Sequence, residues 1–419
     1  MSEERQERAV LVGAGELRYV GELGRLATTL GMEVAGVLEQ NRRDGTGYLG
    51  RGKREELREV VADVGARFVV ADDELTASQA RVLERAAGAT VVDRTELIIR
   101  IFEAHARDAA SRLEVELADL EYRLPRVKGR NPELSRLGGG TVLARGPGEQ
   151  QLEYDRRTIR LRMETINRKL EEERAARTVR GARLKKEGPP TVALVGYTNA
   201  GKTTILNALS GAGRSTRDRL FETLETTTRL VEGGSTNGRG GGTRPDFVVT
   251  DTVGFIRKLP TQLVHSFAST LETAHDADVK IICADASSDE LEDEIRTVKH
   301  TLAEALAEGN GNAPNHIILC LNKMDLASEK RTTELRRKYP HAAMISALED
   351  CEALREEIYR SIASARERME VLIPHAEYAA ASRLYGLAEI HAQENTESGL
   401  WMDISLPRSA SAKYAPYRV

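Results

Sequence analysis

The stretch Gly196-Tyr-Thr-Asn-Ala-Gly201-Lys202-Thr203 narrows the fold more than any other feature of this chain. It has the pattern GxxxxGK[ST], it follows the apolar run Thr191-Val-Ala-Leu-Val195, and a helix is expected from Lys202. Glycines at both ends of such a loop let backbone N–H groups wrap a phosphate chain at a helix N-terminus. Lys202 is expected to reach the β- and γ-phosphates, and the Thr203 hydroxyl suits Mg²⁺, a hard ion that prefers oxygen ligands. Gly196, Tyr197, Thr198, Asn199, Ala200, Gly201, Lys202 and Thr203 are thus candidates for nucleotide contact.

Three further pieces follow in order. Asn322-Lys323-Met324-Asp325 comes directly after the apolar run Ile317-Ile-Leu-Cys-Leu321, at the carboxyl end of an expected parallel strand, where such sheets bind ligands. The Asp325 carboxylate only accepts hydrogen bonds, so it fits the N1–H and N2 amino donors of guanine and finds no such pair on adenine. A site built around those donors rejects the analogue lacking them, because its own polar atoms are left unpaired. Asp251-Thr252-Val253-Gly254 follows Phe247-Val-Val-Thr250 and supplies a carboxylate near Mg²⁺ and a glycine N–H for the γ-phosphate. Ser346-Ala347-Leu348 follows another short apolar stretch and would close the guanine pocket with backbone N–H groups. Each piece alone is an ordinary strand-end loop; four in this order imply GTP and GDP as ligands and a P-loop GTPase domain with a mixed, mostly parallel sheet. Lys202 and Gly254 are the candidate catalytic groups within these motifs.

Between Lys202 and Asp251, the run Leu220-Phe221-Glu222-Thr223-Leu224-Glu225-Thr226-Thr227-Thr228-Arg229 is rich in hydroxyls. One threonine there should complete the Mg²⁺ shell when GTP is bound, and spacing alone leaves Thr223, Thr226, Thr227 and Thr228 open. The alternative is an ordinary polar edge strand. Such a loop is ordered by γ-phosphate and Mg²⁺ contacts and released on hydrolysis, which makes a two-state switch. The residue after Gly254 is Phe255, where Ras-like enzymes place a glutamine that orients the attacking water. Slow intrinsic hydrolysis, rising when a partner completes the site, is the expected consequence. Asn199 lies where an asparagine can coordinate K⁺, which gives a second way to accelerate the reaction.

A chain of 419 residues is too long for one core. Four segments are expected: a small α/β domain over 1–108, an antiparallel helical hairpin with a Gly-rich basic loop over 109–188, the GTPase domain over 189–367, and a small α+β tail over 368–419. A formal net charge of −4 excludes a wholly basic nucleic-acid binder, so any such contact needs a local patch. Cys283, Cys320 and Cys351 are an odd three, and the first two sit in apolar strand-like runs; they read as small core residues in a reducing compartment. No apolar stretch approaches the length of a membrane span and the N-terminus is no signal peptide, so the expectation is a cytoplasmic protein, taken as a monomer, with no membrane contact.

In the first segment Val10-Leu-Val12, Val34-Ala-Gly-Val37, Phe68-Val-Val70 and Thr90-Val-Val92 look like strands. Gly13-Ala-Gly15 suggests a dinucleotide fingerprint, but Arg18 stands at the third glycine position and close helix packing fails. Leu113, Leu117, Leu120 and Leu124 recur at the same intervals as Ile159, Met163, Ile166 and Leu170, as two helices with matching seams should. Between them, Pro125 to Gly148 holds Arg126, Lys128, Arg130, Arg136 and Arg145 with one acidic residue, Glu133. Loops this long inside a compact chain are usually functional, and RNA, recognised by shape, phosphate and 2′-OH, is the expected partner. In the tail, Glu370-Val-Leu-Ile-Pro374, a helix over Glu377 to His391, and a final strand Gly399 to Leu406 are expected.

Together these residues resemble the HflX family of translational GTPases. The resemblance rests on Tyr48-Leu-Gly-Arg-Gly-Lys53, Val92-Asp-Arg-Thr-Glu-Leu97, Val115-Glu-Leu-Ala118, Gly138 to Gly140, Arg145-Gly-Pro-Gly-Glu-Gln-Gln-Leu-Glu153 and Asp155-Arg-Arg157, joined to GYTNAGKT. It implies a factor that binds the large ribosomal subunit and its rRNA through the hairpin loop and splits or recycles ribosomes. It also implies Thr223 as the switch threonine on Mg²⁺ and as a catalytic group, with Phe221, Glu222, Leu224 and Glu225 near the nucleotide. Glu225-Thr226-Thr227 departs from the Asp-Pro-Thr common in the family. Two other readings stay open: a ribosome-assembly GTPase of the Obg or Era kind, and a nucleotide-regulated scaffold that binds protein without touching RNA.

Overall fold

The computed structural model describes residues 7–15, 20–127, 147–211, 227–233, 244–260, 277–307, 316–364 and 366–419, with the single positions 263 and 274. Two compact units emerge: one of residues 1–173 with 219–222 and 258–267, the other of 174–218, 223–257 and 268–419.

The first unit opens with a four-stranded, all-parallel sheet. Its strands are β1 (Arg8–Ala14), β2 (Glu33–Gln40), β3 (Phe68–Ala71) and β4 (Thr90–Asp93), in the order β2-β1-β3-β4. Helices α1 (Val20–Thr29), α2 (Arg51–Val64) and α3 (Ala77–Ala87) make the three crossovers that parallel pairing requires, and α4 (Arg94–His105) follows β4. Every expected strand of this segment is present. β1 is buried from Ala9 to Ala14, as a central strand covered on both faces must be. Helix starts are fixed locally: Thr76 and Gln79 form a reciprocal capping box on α3, and the Asp93 carboxylate accepts from the Glu96 N–H at the start of α4.

Helices α5 (Ala109–Arg123) and α6 (Pro147–Glu187) then form the hairpin. Leu117, Ile166 and Leu170 are buried at its seam, with Leu113, Leu120 and Met163 packed around them. Glu116 accepts both hydrogen bonds of the Arg162 guanidinium, at 2.6 and 2.7 Å, and this forked contact holds the Glu116 carboxyl below its ordinary value. The loop residues 128–146 lie outside the described residues. Arg126, counted above among the loop cations, is committed to the fold. It stacks 3.5 Å above the Tyr122 ring and donates to Leu75 O, Asp93 and Glu74.

The second unit carries a six-stranded sheet of β5 (Thr191–Gly196), β6 (Thr227–Val231), β7 (Phe247–Asp251), β8 (Val279–Asp285), β9 (His316–Asn322) and β10 (Ala343–Met344), in the order β10-β9-β8-β5-β7-β6. Only β6 runs antiparallel to its neighbour. α7 (Lys202–Ser210) and α10 (Glu352–Ser364) supply Ile205, Leu206, Leu354 and Ile358 to one face. α8 (Leu291–Ala307) and α9 (Glu329–Lys338) supply Leu291, Ile295 and Leu335 to the other. The three cysteines are buried and unpaired in disulfides. Cys283 and Cys320 face each other across β8 and β9, where the hydrogen bond to the Cys283 thiol, and then burial, push Cys320 well above the usual thiol range.

The tail is a three-stranded antiparallel sheet of β11 (Arg366–Ile373), β12 (Glu389–Thr396) and β13 (Gly399–Pro407), in the order β11-β13-β12, with α11 (Tyr378–Leu387) and α12 (Arg408–Tyr414). The helix expected to reach His391 stops at Leu387, and Glu389–Thr396 is a strand instead. Its sequence, Glu-Ile-His-Ala-Gln-Glu-Asn-Thr, has little β propensity. Pairing with β13 along its length, with an irregularity between Ile390 and Ala392, overrides that preference.

A nucleotide site at one sheet edge

The candidate motifs all lie at the carboxyl edge of the β5–β10 sheet, because each is the loop that leaves one of its parallel strands. β5 ends at Gly196 and its loop leads into α7, whose first residue is Lys202. Asn199 and Gly201 adopt φ of 63° and 84°, so the chain turns sharply enough to bring its backbone amides round to the helix start. Gly201 cannot be replaced without cost: a Cβ there would lie 2.2 Å from Asn322 Nδ2. Asn322 is the clasp of the site. Its amide nitrogen donates to Ala200 O at 3.0 Å, and its Oδ1 accepts from Ala347 N at 3.0 Å. One side chain therefore fixes the loops after β5 and β10 against the end of β9.

The phosphate side is equally specific. Lys202 is buried, and its ammonium donates to Gly196 O and Tyr197 O at 3.1 and 2.9 Å. Burial lowers its pKa, and the nearby Asp251 carboxylate opposes part of that. Thr203 Oγ1 donates to Asp251 Oδ2 at 2.7 Å, placing a hydroxyl and a carboxylate oxygen side by side as a hard divalent ion requires. Thr252 Oγ1 donates to Leu194 O, which anchors the turn before Val253 and Gly254. A Cβ on Gly254 would stand 2.9 Å from Thr198 Cγ2 and 3.1 Å from Lys202 Nζ. The Gly254 backbone thus packs closely against the loop between β5 and α7.

On the base side Asp325 is exposed, on a short 3-10 turn spanning Met324–Leu326. Lys323, with φ 61°, directs its ammonium to Asp285 Oδ2 at 2.7 Å. Asp285 was missed in the sequence, although an aspartate closing the apolar run of β8 was the available signal. Ser346 is buried and Leu348 exposed beside it. The buried Thr198 and Ser346 hydroxyls have no hydrogen-bond partner among the described residues. Thr198 lies on the loop after β5 and Ser346 on the loop after β10, the two loops that Asn322 ties together.

Phe255 is buried, and its backbone pairs with the phosphate loop through Phe255 N to Gly196 O at 3.0 Å and Thr198 N to Phe255 O at 2.8 Å. The structure therefore gives Phe255 a packing role. Thr227 and Thr228 are taken up in β6, where the Thr228 hydroxyl meets that of Thr250 at 3.1 Å. Phe221, Glu222, Thr223, Leu224, Glu225 and Thr226 lie outside the described residues.

Three family models match successive stretches: "GTP-binding GTPase N-terminal" over residues 18–103, "GTP-binding GTPase Middle Region" over 105–183, and "50S ribosome-binding GTPase" over 191–323. GTPase HflX of Alkalihalophilus pseudofirmus is 39% identical over 93% of this chain and 95% of its own. GTPase HflX of Caldanaerobacter subterraneus subsp. tengcongensis is 44% identical over 77% of this chain and 73% of its own. A solved GTP-binding protein of Sulfolobus solfataricus, in complex with GDP, is 22% identical over 85% of this chain and 98% of its own, with a TM-score of 0.44. The 39% identity to the Alkalihalophilus protein along nearly the whole length of both chains means that this chain belongs to the HflX family of GTPases, and its reaction is the hydrolysis of GTP.

Proposed function

We propose that this GTPase binds the large ribosomal subunit in its GTP state, inserts the hairpin loop against rRNA, and thereby splits or recycles ribosomes in the cytoplasm. The observation that carries the nucleotide half of this reading is the Asn322 clasp, which ties the phosphate loop and the Ser346–Leu348 loop to one point. In this reading Asp325 takes the guanine N1–H and N2 amino group, and the loop Ser346–Leu348, tied to Asn322 through Ala347 N, closes on the base. Gly196 to Lys202 wrap the phosphates, Thr203 ligates Mg²⁺ beside Asp251, and the Gly254 N–H meets the γ-phosphate. The oxygen pair of Thr203 and Asp251 fits Mg²⁺, which would neutralise charge on the β- and γ-phosphates. Thr223 is assigned as the second protein ligand, and Asn199 as a K⁺ ligand.

Phe255 leaves the attacking water without a side-chain hydrogen bond from that position, so turnover is slow until a partner completes the site. The ribosomal half is supported by the match to the 50S ribosome-binding GTPase description over 191–323 and by the basic run Lys128, Arg130, Arg136 and Arg145. Sucrose-gradient sedimentation of ribosomes with the protein tests it. With a non-hydrolysable GTP analogue the protein should co-migrate with large subunits and intact ribosomes should diminish; with GDP both effects should vanish. Sedimentation away from ribosomal particles in every nucleotide state would sink the reading.

A further inference from the structure

The parallel sheet of the first unit changes winding direction between β1 and β3, and in open α/β sheets the crevice at the carboxyl ends of two such strands is where ligands settle. Here β3 runs directly into Asp72 and Asp73, both buried. Tyr48 Oη donates to Asp73 Oδ2 at 2.9 Å, and Arg43 Nη2 donates to Asp73 Oδ1 at 2.6 Å. Arg94, buried in the same unit, pairs with Asp72 at 2.7 Å and with Glu22 at 3.1 Å. Into this crevice reaches Lys258, which belongs to the first unit. Its ammonium donates to Asp73 Oδ1 at 2.6 Å, Asp72 Oδ2 at 2.9 Å and Asp72 O at 3.2 Å.

Two observations separate this from an ordinary surface ion pair. Lys258 balances the charge: Glu22, Asp72 and Asp73 face Arg43, Arg94 and Lys258, and without the lysine a buried carboxylate is left in excess. Backbone strain is also concentrated here. Among the described residues, the non-glycine positions with positive φ are Tyr48, Asn199, Lys258 and Lys323. Asn199 and Lys323 belong to the nucleotide motifs, and Tyr48 and Lys258 belong to this crevice. Such strain persists only where the surroundings over-determine it, and it concentrates at functional sites.

The chain immediately before Lys258 is stitched to the phosphate loop. Phe255 exchanges backbone hydrogen bonds with Gly196 and Thr198, and Arg257 N donates to Tyr197 Oη at 2.8 Å. We propose that Asp72 and Asp73 form a lysine-binding crevice whose resident is Lys258, and that this contact transmits the nucleotide state sensed at Gly254 to the amino-terminal sheet. The inference rests on the reading that Gly254 meets the γ-phosphate. It adds a named receiver, the end of β3, and a named carrier, the Lys258 ammonium.

Hydrogen–deuterium exchange of the full chain with GDP and with a non-hydrolysable GTP analogue tests it. Amides of Val70 to Leu75 should exchange at rates differing by about fivefold or more between the two nucleotides, a typical coupling strength. Lys258→Met and Asp73→Asn should each abolish that difference while leaving the nucleotide-dependent protection of Gly196 to Thr203 intact. Lys258→Arg, which keeps the charge, should restore most of it. A difference at Val70 to Leu75 that survives in Lys258→Met overturns the proposal. So does its absence in the unmodified protein when Gly196 to Thr203 distinguish the two nucleotides. If Gly196 to Thr203 respond to neither nucleotide, the underlying reading of the site falls as well, and the two failures are told apart.

Discussion

In the function proposed above, base selection comes down to one carboxylate. Asp325 is exposed on its short turn, and Lys323 beside it is held by Asp285, so the turn is rigid while the carboxylate stays available. Hydrogen bonds to charged groups contribute about 1.5–3 kcal/mol each. Asp325→Asn exchanges an acceptor-only group for one that presents a donor to guanine donors, and GDP affinity should fall by about 10²-fold or more. Titration with a fluorescent GDP analogue reads this directly, and an affinity within threefold of the parent, about 0.65 kcal/mol, would remove Asp325 from the base site. Gly254 makes the complementary case on the phosphate side. Gly254→Ala would press its methyl onto Thr198 and Lys202, and displacement of reacting groups by even ~1 Å can cost about 10² in rate. Single-turnover GTP hydrolysis should fall by about that factor while GDP binding is nearly kept, since GDP has no γ-phosphate to displace. Equal losses in both would mean that the glycine serves folding alone.

At the scale of elements, the hairpin shows a seam closed by a few apolar side chains. Helix α6 runs for 41 residues, and among the described residues the cluster at its seam with α5 gathers Leu113, Leu117, Leu120, Met163, Ile166 and Leu170. Ile166 is 0% exposed there, and removing a buried aliphatic side chain costs about 2–5 kcal/mol. Ile166→Ala should therefore raise exchange of α5 and α6 amides selectively, with the six-stranded sheet unaffected; a uniform loss across both units would contradict a locally closed seam. This seam was legible in the sequence because a helical repeat needs only apolar spacing. The central parallel strands of both sheets were legible for a related reason: buried strands such as β5 carry continuous apolar runs, here Val192 to Val195. Strand β12 was not, because its own residues have little β propensity and the two-residue turn Glu397-Ser398 that pairs it with β13 lacks the Asn-Gly or Asp-Gly signal of a hairpin. Arg126 was misread because its contacts are long-range. Its partners Leu75, Asp93 and Glu74 are distant in sequence, so nothing near it distinguished a structural cation from a phosphate-seeking one. The nucleotide motifs were readable because each is a short loop at a strand end, whereas Lys258 carries no motif and only the fold brings it to Asp72 and Asp73.

For the whole molecule, the question is whether GTP hydrolysis and ribosome engagement can be separated. The nucleotide site is assembled from strand-end loops of the second unit and the basic run belongs to the hairpin loop of the first, so deleting residues 138–148 should leave GTP and GDP affinities unchanged. Association with large subunits should be lost in the same variant. The electrostatic origin of that association gives a finer prediction. Each cation that neutralises an RNA phosphate contributes about −0.7 to the slope of log affinity against log salt. Replacing Arg130 and Arg136 with glutamine should therefore weaken subunit binding and flatten that slope by about 1.4, with basal GTP turnover unaltered. A slope equal to that of the parent would assign the contact to protein surfaces, as the scaffold alternative requires. Unchanged subunit association in the loop deletion would move the RNA-facing role away from the hairpin while leaving the GTPase itself in place.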